Sequence, residues 1–178
     1  MYINSIEKSS FIYGPGERYV IWTQGCSIRC KGCWNKKMWA FNRGDYLKVD
    51  ELIKDILFYS TNGVTILGGE PLDQYKEILE LIKKIFDKNI SVILYTGYTR
   101  EEIENQNKKE ILDYIDILIS GIYEEKNRNI NLQWRGSSNQ KVEFLTDRYN
   151  ESCIEDYNYV EIILDEDGNE TILGFPDV

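Results

Sequence analysis

The sequence predicts an α/β fold: a partial, open, parallel β/α barrel followed by a carboxyl-terminal antiparallel hairpin. Three observations support this prediction. Short apolar runs alternate with helical patterns, two strand-like runs flank a turn near the carboxyl terminus, and the chain has only 178 residues. Since a complete eight-unit barrel typically needs ~250 residues, the predicted sheet must remain open.

Four short apolar runs have the length and the β-branched content of buried parallel strands. They are Tyr19–Trp22, Val64–Leu67, Ser91–Tyr95 and Ile115–Ile119. A helical pattern occupies each interval between them. Alternating strands and helices predict βαβ units and therefore a parallel sheet.

The helices are predicted by apolar residues spaced three and four positions apart. Val49–Tyr59 is the first, with Asp50 expected as its cap, and Asp73–Asp87 is the second. The segment 99–114 predicts one or two further helices, because it opens with a Thr-Arg-Glu-Glu capping pattern.

The carboxyl-terminal part of the chain has a different pattern. Tyr159–Leu164 and Glu170–Leu173 flank the glycine-containing turn Asp165–Asn169, which predicts an antiparallel hairpin. The sequence contains no repeat, low-complexity tract or linker. Residues 1–178 are therefore expected to form a single domain.

The composition argues against several classes of function. A net charge of -9 offers no basic surface for phosphates, so nucleic acids and anionic membranes are not expected partners. No run approaches the ~20 apolar residues of a membrane helix, and the amino terminus lacks a secretory pattern, so a cytoplasmic location is expected. The sequence has no histidine, which excludes Ser-His-Asp hydrolysis, Cys-His proteolysis and His-ligated zinc catalysis.

Three of the four cysteines, Cys26, Cys30 and Cys33, lie within eight residues. Thiolates are soft ligands that suit iron–sulfur clusters, zinc or copper(I). A structural zinc ion takes four protein ligands, so three thiols without a histidine fit it poorly. A [4Fe-4S] cluster on three thiolates keeps one iron open, which indicates catalysis. A zinc site and a fortuitous grouping in an exposed loop are the alternatives, and Cys153 is expected to be a small buried hydrophobe.

A second motif, Gly68-Gly69-Glu70-Pro71, follows the predicted strand Val64–Leu67. In open α/β sheets this end of a strand faces the ligand. Glycines allow close backbone approach, and a carboxylate or carbonyl oxygen complements an ammonium group. On its own the tetrapeptide is typical of an ordinary turn, and its position downstream of the cysteines makes it supporting evidence.

The Cys-x3-Cys-x2-Cys spacing followed by Trp34 resembles the signature of radical S-adenosylmethionine enzymes. The resemblance implies a [4Fe-4S] cluster whose unique iron is chelated by the methionine amino and carboxylate groups of S-adenosylmethionine. Reduction then yields methionine and a 5′-deoxyadenosyl radical. The resemblance implies that Cys26, Cys30 and Cys33 bind the cluster. It implies that Gly32 and Trp34 help to position the adenine, and that Gly68, Gly69 and Glu70 bind the methionine end of the cofactor. Thr96 is implied as a further cofactor contact.

Five longer segments are similar to the activating enzymes of anaerobic ribonucleotide reductases. They are Gly14–Arg18, Trp22–Cys26, Trp34-Asn35, Tyr95–Tyr98 and Trp134–Gln140. This resemblance implies an activase that abstracts hydrogen from a glycine of a large glycyl radical enzyme. It also implies an electron donor such as flavodoxin. The open side of a partial barrel suits a partner that inserts a loop.

Three features depart from the activase pattern. Tyr13 stands where the resemblance leads us to expect an acid, Ser120-Gly121-Ile122 replaces an expected Asp-Gly-Pro, and the tail from Cys153 to Val178 is longer than in some activases. Two other functions remain open: a stand-alone radical enzyme that modifies a peptide or small metabolite, and a non-catalytic iron–sulfur or zinc binding module.

Overall fold

A seven-stranded mixed sheet organises the chain. The computed structural model describes residues 1–59, 61–155 and 157–174. The strands are β1 (Tyr2–Ser10), β2 (Arg18–Thr23), β3 (Asp45–Tyr46), β4 (Gly63–Gly68), β5 (Ser91–Thr96), β6 (Ile117–Ser120) and β7 (Lys141–Phe144). Their order across the sheet is β3-β1-β2-β4-β5-β6-β7.

The four central strands, β2, β4, β5 and β6, are parallel and neighbour one another in chain order. Each contains or overlaps one of the apolar runs, so the four predicted strands and the α/β class are confirmed. The register aligns Tyr19 with Val64, and Val64 in turn with Val92. Their carboxyl ends therefore meet at one edge of the sheet, where open α/β folds place their ligands.

The remaining strands, β1, β3 and β7, were not predicted, and all three pair antiparallel at the margins of the sheet. The sheet is therefore mixed rather than wholly parallel. The largest of them, β1, reads Tyr-Ile-Asn-Ser-Ile-Glu-Lys-Ser-Ser and has no continuous apolar run. An antiparallel strand near the edge of a sheet can have one face exposed to solvent, so its sequence is partly polar and is harder to recognise as a strand.

Within the described residues, three α-helices connect the parallel strands: α1 (Val49–Tyr59), α2 (Tyr75–Phe86) and α3 (Arg100–Asn105). Helix α1 has the predicted bounds, but Asp50 lies inside its first turn and is not its cap. The capping box of α3 is confirmed, since Thr99 and Glu102 each accept a backbone hydrogen bond from the other. None of the described helices is long and apolar enough to cross a membrane.

The two faces of the parallel sheet are both buried. On one face Tyr19, Ile21 and Val64 pack against the helices in the main core. On the other face Val20 and Trp22 form one cluster, and Ile93, Ile117, Ile119 and Trp134 form another. Cys153 packs against the second cluster but is only partly buried.

Arg18 is fully buried at the amino-terminal end of β2. Its guanidinium group donates to the Thr65 hydroxyl (2.9 Å), the Ser91 hydroxyl (3.1 Å) and the Val64 carbonyl (2.7 Å). These bonds tie β2 to β4 and β5. A buried charge is tolerated because several polar groups replace its hydration.

The hairpin forms a separate two-stranded sheet, β8 (Val160–Leu164) and β9 (Glu170–Gly174), and confirms the prediction for this segment. Ile162 and Ile172 lie directly opposite each other. The turn is stabilised by the Asp165 carboxylate, which accepts hydrogen bonds from the backbone N–H groups of residues 167 and 169.

Candidate cofactor site

A cavity of about 870 Å³, including its open mouth, lies at the carboxyl ends of the parallel strands. The wall consists of residues that follow β2, residues at the ends of β4, β5 and β6, and parts of the 134–140 loop. It includes Cys26, Ile28, Cys30, Cys33, Trp34, Asn35, Trp39, Leu67, Gly68, Gly69, Glu70, Tyr95, Thr96, Gly97, Ile119, Gly121, Tyr123, Gly136 and Gln140.

The structure brings almost all of the predicted site residues to this one cavity. Its wall contains the three clustered cysteines, Trp34, the Gly68–Glu70 motif and Thr96. Gly32 is not part of the wall: its backbone has φ +75° and its Cα lies against the carboxylate of Glu125. The two motifs, about 40 positions apart in the printed sequence, therefore meet in space.

The backbone at the start of the cysteine loop is fixed by several hydrogen bonds. Gly25 N–H donates to the Met38 carbonyl (2.8 Å), and Cys26 N–H donates to the Trp39 carbonyl (3.3 Å). Asp73 accepts from both the N–H (2.7 Å) and the hydroxyl (2.8 Å) of Ser27. Sequence reasoning missed Asp73, because an acid in a helix-initiating turn carries no signal for a distant loop.

Gly69 permits a close approach between the two motifs. A Cβ atom at this position would lie 2.1 Å from the Gly25 carbonyl oxygen, closer than any side chain tolerates. Gly69 N–H donates to the Thr23 carbonyl and Glu70 N–H donates to the Gly25 carbonyl, both at 2.8 Å. The glycine motif therefore holds the backbone of Gly25, the residue before Cys26, in place, in addition to any contact with a ligand.

The side chain of Glu70 is 1% exposed. Its carboxylate accepts hydrogen bonds from the Leu72 N–H (2.9 Å), the Thr96 hydroxyl (2.8 Å) and the Gly97 N–H (2.8 Å). Burial raises the pKa of Glu70 to about 7, although these three donors oppose the shift. Glu70 thus joins the ends of β4 and β5 at the cavity wall, and one of about four carboxylate lone-pair sites is left for a ligand.

The three thiols are chemically suited to an iron–sulfur cluster. All three are free of disulfides and line the same cavity. Burial raises the pKa of the Cys26 and Cys30 thiols, so a bound metal must displace their protons. Asn35 N–H lies 3.4 Å from the Cys33 sulfur, and hydrogen bonds of this kind tune cluster potentials.

The described residues contain no group of three His, Cys, Asp or Glu side chains gathered around a single metal ion position. The three thiolates of a cluster bind three different iron atoms, so they need not converge on one point. The donor set therefore fits a [4Fe-4S] cluster.

Two residues of the cavity wall, Trp39 and Tyr95, each carry a fully buried polar atom, the indole N–H and the hydroxyl, that has no hydrogen-bond partner within the described part of the chain. Buried polar groups are ordinarily paired. The wall is otherwise largely apolar, as cofactor sites commonly are.

Gln140, at the end of the Trp134–Gln140 segment, is part of the cavity wall. Its amide oxygen accepts from the N–H groups of Gly136 (2.9 Å) and Ser137 (3.1 Å), and its amide nitrogen donates to the Gly121 carbonyl (3.1 Å). Gln140 therefore holds two wall segments together. The sequence singled out the segment but assigned this residue no role.

The fold and the site define an α/β protein with a thiol-lined cofactor cavity. A family model described as a 4Fe-4S single cluster domain matches residues 12–143. The chain belongs to this family and, within it, to the anaerobic ribonucleoside-triphosphate reductase-activating proteins. It is 34% identical to the Haemophilus influenzae protein of that name over 142 residues, which covers 74% of this chain and 90% of the relative.

Two further relatives carry the same name. The protein of Enterobacteria phage T4 is 33% identical over 155 residues, covering 83% of this chain and 96% of the relative. The Escherichia coli K12 protein is 32% identical over 143 residues, covering 75% and 92% respectively. The activase resemblance inferred from the motifs is thereby confirmed.

Proposed function

We propose that this chain is the activase of an anaerobic ribonucleotide reductase. Cys26, Cys30 and Cys33 would hold a [4Fe-4S] cluster, which would supply the electron for reductive cleavage of S-adenosylmethionine to methionine and a 5′-deoxyadenosyl radical. This radical would remove hydrogen from a glycine of the reductase. The observation that carries the proposal is that the cysteine loop and the Gly68–Glu70 motif, distant in sequence, share one cavity wall.

The chain's own residues bind and orient the cofactor. The backbone of Gly68 and Gly69 presents oxygen atoms to the methionine ammonium group, while Glu70 fixes that backbone through its three hydrogen bonds. Trp34 offers an aromatic surface to the adenine ring. Gly32, which lies against Glu125, helps to seat the adenine by shaping the loop that carries Trp34.

We also infer the architecture of the activase, the source of its electron and its place in the cell. The β2-β4-β5-β6 sheet represents a partial β/α barrel within a single domain of residues 1–178. Its open side admits a loop of the reductase. A small electron-transfer protein such as flavodoxin reduces the cluster, and the chain works in the cytoplasm.

The test uses anaerobically reconstituted protein and a matched pair of cysteine variants. Wild type and Cys153→Ala are expected to bind about four irons, to produce 5′-deoxyadenosine after reduction, and to give a glycyl radical signal with the reductase. Cys30→Ala is expected to lose all three. A reducible cluster in the wild type without 5′-deoxyadenosine, even with the reductase present, would instead indicate a binding module. Product without a glycyl radical would indicate a different substrate.

A further inference from the structure

The outer face of the carboxyl-terminal hairpin is apolar and exposed. Val160, Ile162 and Leu164 on β8 are 44%, 62% and 65% exposed, and Ile172 on β9 is 50% exposed. Since Ile162 and Ile172 are directly opposite, these side chains form a continuous patch, here called the hairpin patch. Contiguous apolar surface of this kind marks interaction sites on soluble proteins.

Negative charge is concentrated in the segment of the chain that contains the hairpin patch. Residues 151–178 contain nine acidic residues and no lysine or arginine, whereas residues 1–150 contain equal numbers of acidic and basic residues. The entire net charge of -9 therefore lies in this last segment. Glu166, Asp167 and Glu170 are all exposed around the hairpin turn, where they give the surface a strongly negative potential.

The inner face of the hairpin attaches it beside the cofactor cavity. Leu173 packs against the Tyr13, Val20, Trp22 and Met38 cluster, and the same cluster contacts Leu67, which lines the cavity. Gly174 N–H donates to the Tyr13 hydroxyl (2.9 Å). A partner bound to the hairpin patch is thus held close to the cavity wall.

We infer that the hairpin patch is a docking surface for a basic, partly apolar region of the glycyl radical enzyme. This inference rests on the proposed function, because a macromolecular substrate must deliver its glycine to the cavity. Acidic residues beside an apolar patch complement lysine and arginine beside an apolar groove. A second copy of this chain complements the patch less well, since its first 150 residues carry no net positive charge.

The test compares two charge variants with the same net charge. The hairpin variant carries Glu166→Gln, Asp167→Asn and Glu170→Gln. The control variant carries Asp87→Asn, Glu101→Gln and Asp113→Asn, three exposed acids on the helical elements. Cluster-loaded full-length proteins are titrated with the reductase at several salt concentrations. A third variant, Ile162→Thr/Ile172→Thr, removes apolar surface and leaves the charge intact.

The hairpin charge variant is expected to bind the reductase about tenfold more weakly than wild type and to lose much of the salt dependence of binding. The control variant keeps the wild-type Kd, and the isoleucine variant also binds more weakly. Reductase-independent 5′-deoxyadenosine formation stays the same in all three, since none of these residues lines the cavity.

Two results would overturn the inference while the proposed function stands. One is a wild-type Kd in the hairpin charge variant, or equal weakening in both charge variants. The other is a wild-type dimer that the hairpin variants disrupt without changing reductase affinity, because the patch would then bind a second copy. Absence of a glycyl radical with the wild-type chain would instead overturn the proposed function itself.

Discussion

The buried carboxyl group of Glu70 makes the stability of this protein depend on pH, and Glu70→Gln isolates that dependence. Burial raises the pKa of Glu70 from 4.5 to about 7 in the folded state. The folded chain therefore holds a proton that the unfolded chain releases. The resulting stability is fully present below pH 4.5 and is lost as the pH rises through about 7.

The magnitude follows from the size of the shift. At about 1.4 kcal/mol per pKa unit, a rise from 4.5 to about 7 corresponds to about 3 kcal/mol between the two limits. Glutamine at position 70 does not titrate, so its stability lacks this slope. The variant is also less stable overall, because its amide N–H₂ faces the Gly97 N–H, which now donates to a carboxylate oxygen.

Urea unfolding of the cluster-free chain, under anaerobic reducing conditions at pH 5, 6, 7 and 8, measures the slope. The general repulsion of an acidic protein also grows with pH, so Glu101→Gln, at an exposed position, serves as the reference. Glu101→Gln should keep the wild-type slope and Glu70→Gln should be flatter. Parallel curves for wild type and Glu70→Gln would refute the assignment of the pH dependence to Glu70.

Three further substitutions test the contacts that build the site. Gln140→Leu leaves the Gly136 N–H and the Gly121 carbonyl without hydrogen-bond partners. We expect the free energy of unfolding in urea to fall by about 1–3 kcal/mol and the KM for S-adenosylmethionine to rise. Gln140→Glu, which keeps an oxygen for the Gly136 N–H, should retain part of the stability. Arg18→Met removes the hydrogen bonds that join β2 to β4 and β5, so the free energy of unfolding, measured by thermal denaturation, should fall by about 3 kcal/mol. Unchanged stability would show that Arg18 does not tie these strands together. Asp73→Asn disturbs the Ser27 contacts, and iron content per chain should fall while urea stability changes by less than about 1 kcal/mol.

The central strands were predictable because both faces of a parallel sheet are buried. Such strands are nearly continuous apolar runs, as Val64–Leu67 and Ser91–Tyr95 are, with only Thr65 and Ser91 polar. This argument does not predict β1, because polar residues predominate there and its extended conformation depends on pairing with β2. Local capping signals succeeded at Thr99 and failed at Asp50, because α1 begins at Val49, two residues before the first helical position that an Asp50 cap requires.

The residues of the candidate site were predictable as a set, but their individual geometry was not. Spacing alone indicated Cys26, Cys30 and Cys33, since soft ligands at short intervals have few other uses. It could not show that Glu70 turns its carboxylate toward Thr96 and Gly97, because those partners lie on the next strand. Nor could it show that Gln140 bridges two loops, which depends on how the chain returns after β6.

Two departures from the activase pattern are connected in the folded chain. Tyr13 replaces an expected acid, and the tail from Cys153 onward extends past the matched family region, which ends at residue 143. The Tyr13 hydroxyl accepts the Gly174 N–H, and its ring packs edge-on against Trp22 at 5.3 Å. Burial raises the Tyr13 pKa to about 12, so the phenol stays neutral and packs as an aromatic residue. An acid at this position would place a charge where Leu173 now packs, so the tyrosine and the docked hairpin form one structural unit.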